Sequence, residues 1–146
     1  MPSATFTHSV VTPASVDAAW NALQDPETWS NIGPVASVSD PEYAADGTLT
    51  NFLWIADIGA KKYDGVATTT SYNKPQRFEL TMDTSEIAGD VVATIDPGAP
   101  GCTVTIEITF RTKGIHSAMF FPAIKQALAS GFPQQIEDLV EGITHR

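Results

Sequence analysis

A single cysteine, Cys102, among 146 residues leaves no partner for an intrachain disulfide, excludes a thiolate metal cluster and fits a reducing compartment. Basic side chains are also scarce. Eight Lys and Arg stand against 17 Asp and Glu, a formal charge of −9, and such a surface repels a phosphate backbone, so no nucleic-acid partner is expected. No apolar run approaches the ~20 residues of a membrane-spanning helix. The opening "MPSATFTHSVV" has neither a basic n-region nor an apolar signal core, so the expectation is a cytoplasmic protein without stable membrane insertion. Nor do the chemistry-bearing motifs occur: there is no phosphate loop, no G-x-S-x-G and no H-E-x-x-H, and "DPGAPG" reads as a hairpin turn. The three histidines, His8, His116 and His145, are too dispersed to indicate a metal site. Neither metal nor cofactor is expected, and oligomeric state is invisible at this level.

What is present is ordinary globular material, with 42% hydrophobic and 17% charged residues. Residues 1–146 are expected to form one domain; at this length ~68–70% of the unfolded chain's surface can be buried. "ATFTHSVV" (4–11) reads as a first strand with Phe6, His8 and Val10 on one side. "TPAS" breaks it. Ser15 then starts a helix over about 15–24, whose Val16, Ala19, Trp20 and Leu23 share a face, and Asp25-Pro26 ends it and opens a second short helix.

From 34 to 112 turn signals at "SDPEYAADG", "IGAKKYDG", "NKPQ", "TSEIAGD" and "DPGAPG" divide strands at about 35–39, 49–58, 62–72, 77–84, 87–96 and 102–112. Two of them alternate clearly. Phe78, Leu80 and Met82 share one face, as do Val104, Ile106, Ile108 and Phe110, which predicts a sheet with one wet and one buried side. The final stretch places Phe120, Ile124, Leu128, Ile136, Leu139 and Ile143 at near-helical period. It is expected to cover the dry face, with a kink or split at Ser130-Gly131-Phe132-Pro133 and with Pro122 near its start.

This order of elements resembles the START-like, or SRPBCC, superfamily, and within it the polyketide cyclase/dehydrase and lipid-transport type. "TPASVDAAWNALQDPETWSNI" is similar to the family's opening, "YNKPQRFEL" to its proline-arginine-aromatic step, and "FPAIKQALASGFPQQIEDLVEGI" to its closing helix. The resemblance implies an α+β helix-grip. In it a seven-stranded antiparallel curved sheet wraps a long C-terminal helix, two short helices lie between strands 1 and 2, and a cavity separates sheet from helix. It implies a hydrophobic small-molecule partner, lipid-like or polyketide-like.

Residues that can line such a cavity are Phe52, Trp54, Phe78, Leu80, Met82, Ile106, Ile108, Phe110, Phe120, Ile124 and Leu128; the same side chains can equally fill a solid core. Trp20 and Trp29 are assigned to the scaffold at the floor of the grip. For acid–base chemistry the candidates are His8, Tyr63 and Asp57, with His116 read as a solvent-exposed residue near the helix start. The family's aromatase/cyclase branch implies a cavity arginine that polarises carbonyls. Here Arg77 and Arg111 fall on the wet parity of their strands and Arg146 is terminal, which argues against cyclisation. Three functions therefore stand: a small-molecule binding protein, a cyclase/dehydrase-type enzyme without metal, and an adaptor that contacts another protein.

Overall fold

The computed structural model describes residues 3–30 and 32–144. His145 and Arg146 lie outside them. The chain forms strand β1 (Ser3–Thr12), helix α1 (Val16–Leu23), a 3-10 turn (Pro26–Trp29), then strands β2 (Val35–Tyr43), β3 (Leu49–Ile58), β4 (Lys61–Asn73), β5 (Arg77–Thr84), β6 (Ile87–Pro97) and β7 (Cys102–Thr112), and helix α2 (Ile115–Thr144). The seven strands make one antiparallel curved sheet in the order β1-β7-β6-β5-β4-β3-β2. The architecture is the expected helix-grip.

Period-2 patterning is what bends this sheet around a core. Along β7 Val104, Ile106, Ile108 and Phe110 are buried, while Thr103, Thr105, Thr109 and Arg111 are only partly covered and Glu107 is exposed. Register with β1 sets Phe6, His8 and Val10 opposite Ile108, Ile106 and Val104, so these residues share the concave side. The outer face is laced with polar pairs: Arg77 to Glu79 at 2.8 Å, Arg111 to Asp90 at 2.9 Å and Lys113 to Asp83 at 2.7 Å. Both arginines are thus on the wet side.

The opening helix forms because Ser15 caps it, its Oγ accepting from the Ala18 N–H at 3.0 Å, and Asp25 caps the following turn in the same way through Glu27 at 3.0 Å. The second short helix is a single 3-10 turn. Both are fastened to the sheet through one aromatic cluster, in which the buried ring of Phe78 meets Trp20 edge-on at 5.8 Å and stacks on Trp29 at 6.4 Å. Buried Gln24 adds a polar tie: its amide donates to the Trp20 carbonyl at 3.3 Å while its oxygen accepts from the Leu49 N–H at 2.8 Å.

Two local expectations change, for β2 and α2, and the β3–β4 turn falls where the expected strand bounds put it. β2 does not stop at Ser39 but continues to Tyr43 through bulges, with Asp40 at φ 52; as an edge strand it tolerates Pro41. In "IGAKKYDG" the turn is Gly59-Ala60, both at positive φ, a hairpin connection of the type that matches strand twist; Asp64-Gly65 lies inside β4. Gly65 is there for space, because a Cβ at that position would sit 2.4 Å from the Trp54 indole nitrogen. Finally, α2 begins seven residues before Pro122 and runs unbroken through Pro133. Its buried Leu128, Phe132, Ile136, Val140 and Ile143 hold both sides of the proline to the same core.

Because Phe78 is the shared contact of the two tryptophans, Phe78→Ala is expected to cost about 3–5 kcal/mol in urea unfolding. A loss below about 1 kcal/mol would show that the floor is held by other contacts.

Candidate functional site

An apolar cavity lies on the concave face of the sheet. From the strands it is walled by Trp54 (β3), Met82 (β5), Ile87 to Gly89 and Val91 (β6), and Ile106, Ile108 and Phe110 (β7); its other wall is Trp29, Ile32, Pro34 and Val35. Its free volume is about 30 Å³, room for roughly two water molecules. The expected arrangement had the long helix as the opposite wall. Instead the 32–35 segment stands between, pinned to β3 by the Pro34 carbonyl, which accepts from the Asp57 N–H at 2.8 Å. On its far side Gly33 rests on Leu128 of α2 and donates to Gln135 Oε1 at 3.4 Å.

Beyond that segment lies a second concavity, a groove of about 330 Å³ lined by Gly33, Pro34, Asp57, Ile58, Gly59, Gln135 and, from the N-terminal half of α2, Phe120, Ala123, Ile124, Ala127 and Leu128. Pro34 is common to both. The predicted lining residues therefore divide. Trp54, Met82, Ile106, Ile108 and Phe110 reach the inner cavity, whereas Phe120, Ile124 and Leu128 line the groove. Phe52, Phe78 and Leu80 are buried core outside both. Trp29, assigned to the scaffold, does double duty: it stacks on Phe78, donates its indole N–H to the Leu23 carbonyl at 3.1 Å, and forms cavity wall.

The cavity surface is almost wholly apolar. The indole nitrogen of Trp54 packs against Gly65 of β4, which is not part of the cavity wall. Trp54 is 4% exposed, and no protein acceptor lies within hydrogen-bond reach of its buried indole nitrogen, a condition that costs ~1–3 kcal/mol when no partner is supplied.

The three acid–base candidates are not brought together. His8 faces inward beneath the C-terminal half of α2, half-buried, with Nε2 4.0 Å from Glu137. Asp57 points outward, 46% exposed, and pairs with Lys62 at 3.1 Å on the groove rim; the sequence had left its facing open. Tyr63 sits by the other end of the helix. Its hydroxyl lies 2.7 Å from Nδ1 of His116, which is half-buried rather than solvent-exposed and also packs on Phe120 at 5.0 Å. Glu137 and His116 are 21 helical residues apart, roughly 30 Å along the axis, so His8 and Tyr63 cannot act on one small molecule.

The Tyr63–His116 contact joins β4 to α2 beside Glu86, which caps the helix by accepting from the Ser117 N–H at 2.7 Å. Desolvation, reinforced by the Glu86 charge, pushes the Tyr63 phenol above its ordinary value of 10.0. Among the described residues no group of three or more His, Cys, Asp or Glu is placed to hold a metal ion. No described helix is long and apolar enough to cross a membrane.

With this geometry in place, comparison with known proteins is decisive for the family. The model of the family "Polyketide cyclase / dehydrase and lipid transport" matches residues 3–143. The chain belongs to that family. No curated protein matches the sequence. Solved structures share its fold at low identity. A START superfamily protein from Mycobacterium smegmatis is 12% identical with a TM-score of 0.68, over 97% of this chain and 98% of the other. A protein from Thermus thermophilus is 13% identical with a TM-score of 0.70, over 99% and 98%. The Zhui aromatase/cyclase from a Streptomyces species is 10% identical with a TM-score of 0.69, over 99% and 96%. The family carries the coarse functional statement that this is a ligand-binding domain of the START/polyketide cyclase type.

Because the unfolded tyrosine ionises first, Tyr63 contributes full stability below about pH 10 and loses it as pH rises from there toward the folded-state value. Tyr63→Phe is therefore expected to flatten the alkaline decline of Tm. In an ultraviolet titration of the folded wild type, one of the three tyrosines should ionise late; coincident ionisation of all three would refute the assignment.

Proposed function

We propose that the protein binds a hydrophobic or aromatic small molecule, lipid-like or polyketide-like, in the cavity between the concave sheet and the 29–35 segment. The observation that carries this reading is the cavity wall itself: apolar strand residues, Trp54 among them, face Trp29, Ile32, Pro34 and Val35 across a space that the core leaves unfilled. Pockets for small molecules are concave and mostly apolar, with few polar groups. At about 30 Å³ the space is far below the ~300–1,000 Å³ of typical ligand sites. Occupancy therefore displaces Ile32, Pro34 and Val35 and joins the cavity to the groove behind Pro34.

A cyclase/dehydrase reading would place acid and base on the reacting molecule. Tyr63 and His116 form a hydrogen-bonded titratable pair between β4 and α2, yet neither is among the cavity's lining residues. The arginines Arg77 and Arg111 are engaged by carboxylates on the outer face. Both points favour retention of a ligand over its conversion. An adaptor role finds less support, since the exposed large apolar residues of the described chain gather only in small pairs, Leu53 with Val66 across β3 and β4 and Ile115 with Met119 on α2.

A panel of fatty acids, quinones and flavonoid-like aromatics tests the reading by thermal shift and by native mass spectrometry with extraction of co-purifying species. At ~100-fold excess over Kd, a true ligand stabilises by ~2.7 kcal/mol and alters the emission of the wall tryptophans. Gly89→Val, on the inward parity of β6 opposite Met82 and Phe110, fills the cavity and is expected to abolish the shift while circular dichroism reports a retained fold. No shift with any panel member and no co-purifying species would overturn it.

A further inference from the structure

The sheet has two edges, β1 and β2, and the chain treats them differently. β2 is protected against pairing with a further strand: it carries Asp40, Pro41 and Glu42, its register with β3 shifts at three places, and Asp40 turns to φ 52. β1 has none of these devices. Its residues, "SATFTHSVVT", include no lysine, arginine, carboxylate or proline, and all of them from Ser3 to Thr12 pair with β7 in unbroken register. Alternate residues of such a strand turn their N–H and C=O away from the neighbour, here along roughly 33 Å of edge. Among the described residues no strand lies beyond β1 to receive them. Cover also thins at this edge. Val104, Ile106, Ile108 and Phe110 of β7 are buried, whereas the β1 residues in register with them, Val10, His8, Phe6 and Ala4, are only half-buried although α2 packs over the strand. Val11 on the outer side is 74% exposed.

We propose that β1 is a dimer interface, at which two copies of this chain pair their first strands antiparallel about a two-fold axis at Thr7. A second copy fits because an antiparallel strand pair is self-complementary under such an axis. Residues directly opposite must face the same side of the sheet, so the axis falls on a residue and not between two. At Thr7 it sets Ser3 against Val11, Ala4 against Val10, Thr5 against Ser9 and Phe6 against His8, hydroxyls meeting on the outer face. A formal charge of −9 opposes self-association, and the opposition is least along a strand with no charge of its own. Two acids flank it: Glu107, which accepts from the Thr7 hydroxyl at 3.4 Å, and Glu137, 4.0 Å from His8. Salt that screens them is therefore expected to tighten the dimer. The contact is made by main chain and needs no ligand, so it stands apart from the binding reading above.

Sedimentation of the full chain from micromolar to millimolar concentration tests this. The wild type should pass from monomer to twice that mass, and at lower concentration in high salt. Two double variants, Thr5→Lys/Ser9→Lys and Thr5→Glu/Ser9→Glu, replace exposed hydroxyls that face only Thr109 and Thr105 within the chain. Across the axis each sets like charges face to face, and each alone should lose roughly ten-fold or more in self-affinity. An equimolar mixture of the two, with opposite charges opposed, should form the heterodimer. Should either variant fail to fold, hydrogen exchange of the wild type decides: alternate amides of β1 should slow as concentration rises. A wild type that stays monomeric at millimolar concentration in high salt overturns the inference. So does a dimer that the lysine variant forms as readily as the wild type, a mixture of folded variants that does not associate, or β1 amides whose exchange ignores concentration.

Discussion

The ring of Phe78, held between Trp20 and Trp29, is the contact on which the rest of this molecule is arranged. It joins a strand in the middle of the sheet to both short helical elements that close the concave side. Trp29 then starts the segment that leads through Pro34 into β2, and that segment is the second wall of the cavity. Position follows from packing. Beyond the cluster, the 32–35 segment is fixed to β3 by the Asp57 N–H and the Val35–Ala56 pairing and to α2 by Gln135.

A layered interior results: sheet, cavity, the 32–35 segment, groove, helix. In a domain of this kind an open space between sheet and helix would expose apolar surface to water, and interiors otherwise pack as tightly as organic crystals. The segment fills most of that space, leaving about 30 Å³ on one side and an open groove on the other. Small size in this conformation and ligand binding are compatible because only one short stretch of backbone, seated on Leu128 by a glycine, separates the two volumes.

Polar chemistry is distributed to the ends of the helix instead of being gathered at the cavity. His8 meets Glu137 near one end, and Tyr63 meets His116 and Glu86 near the other. Such pairs align strand and helix, and the Glu86 carboxylate also satisfies an otherwise orphaned N–H in the first turn of α2. Among the described residues the buried side-chain atoms left without a protein partner, Thr48 Oγ1, Trp54 Nε1 and Thr112 Oγ1, are likewise spread over separate places in the fold.

Local pattern determined most of the fold. Alternation in "RFELTMD" and "CTVTIEITFR", the Ser15 and Asp25 caps, and the helical spacing from Phe120 to Ile143 each reflect a short-range preference that the tertiary structure keeps. Misreadings arose where long-range contact overrode a local signal. Pro133 stays helical because buried residues on both sides hold it, and Asp40-Pro41 bulges because it is at the sheet's edge. The cavity was less legible than the fold. Trp54, Met82, Ile106, Ile108 and Phe110 are readable as inward-facing, but parity cannot say whether an inward residue meets protein or empty space. Nor could any periodicity nominate Trp29, Ile32, Pro34 and Val35, which lie outside the helical and strand patterns. The sequence by itself therefore determined which faces are dry and which family the chain resembles, because those depend on neighbours one to four residues away. Only the tertiary structure decided where the dry faces fail to meet, and that the Trp54 N–H is left without a partner, because both depend on residues far apart in the chain.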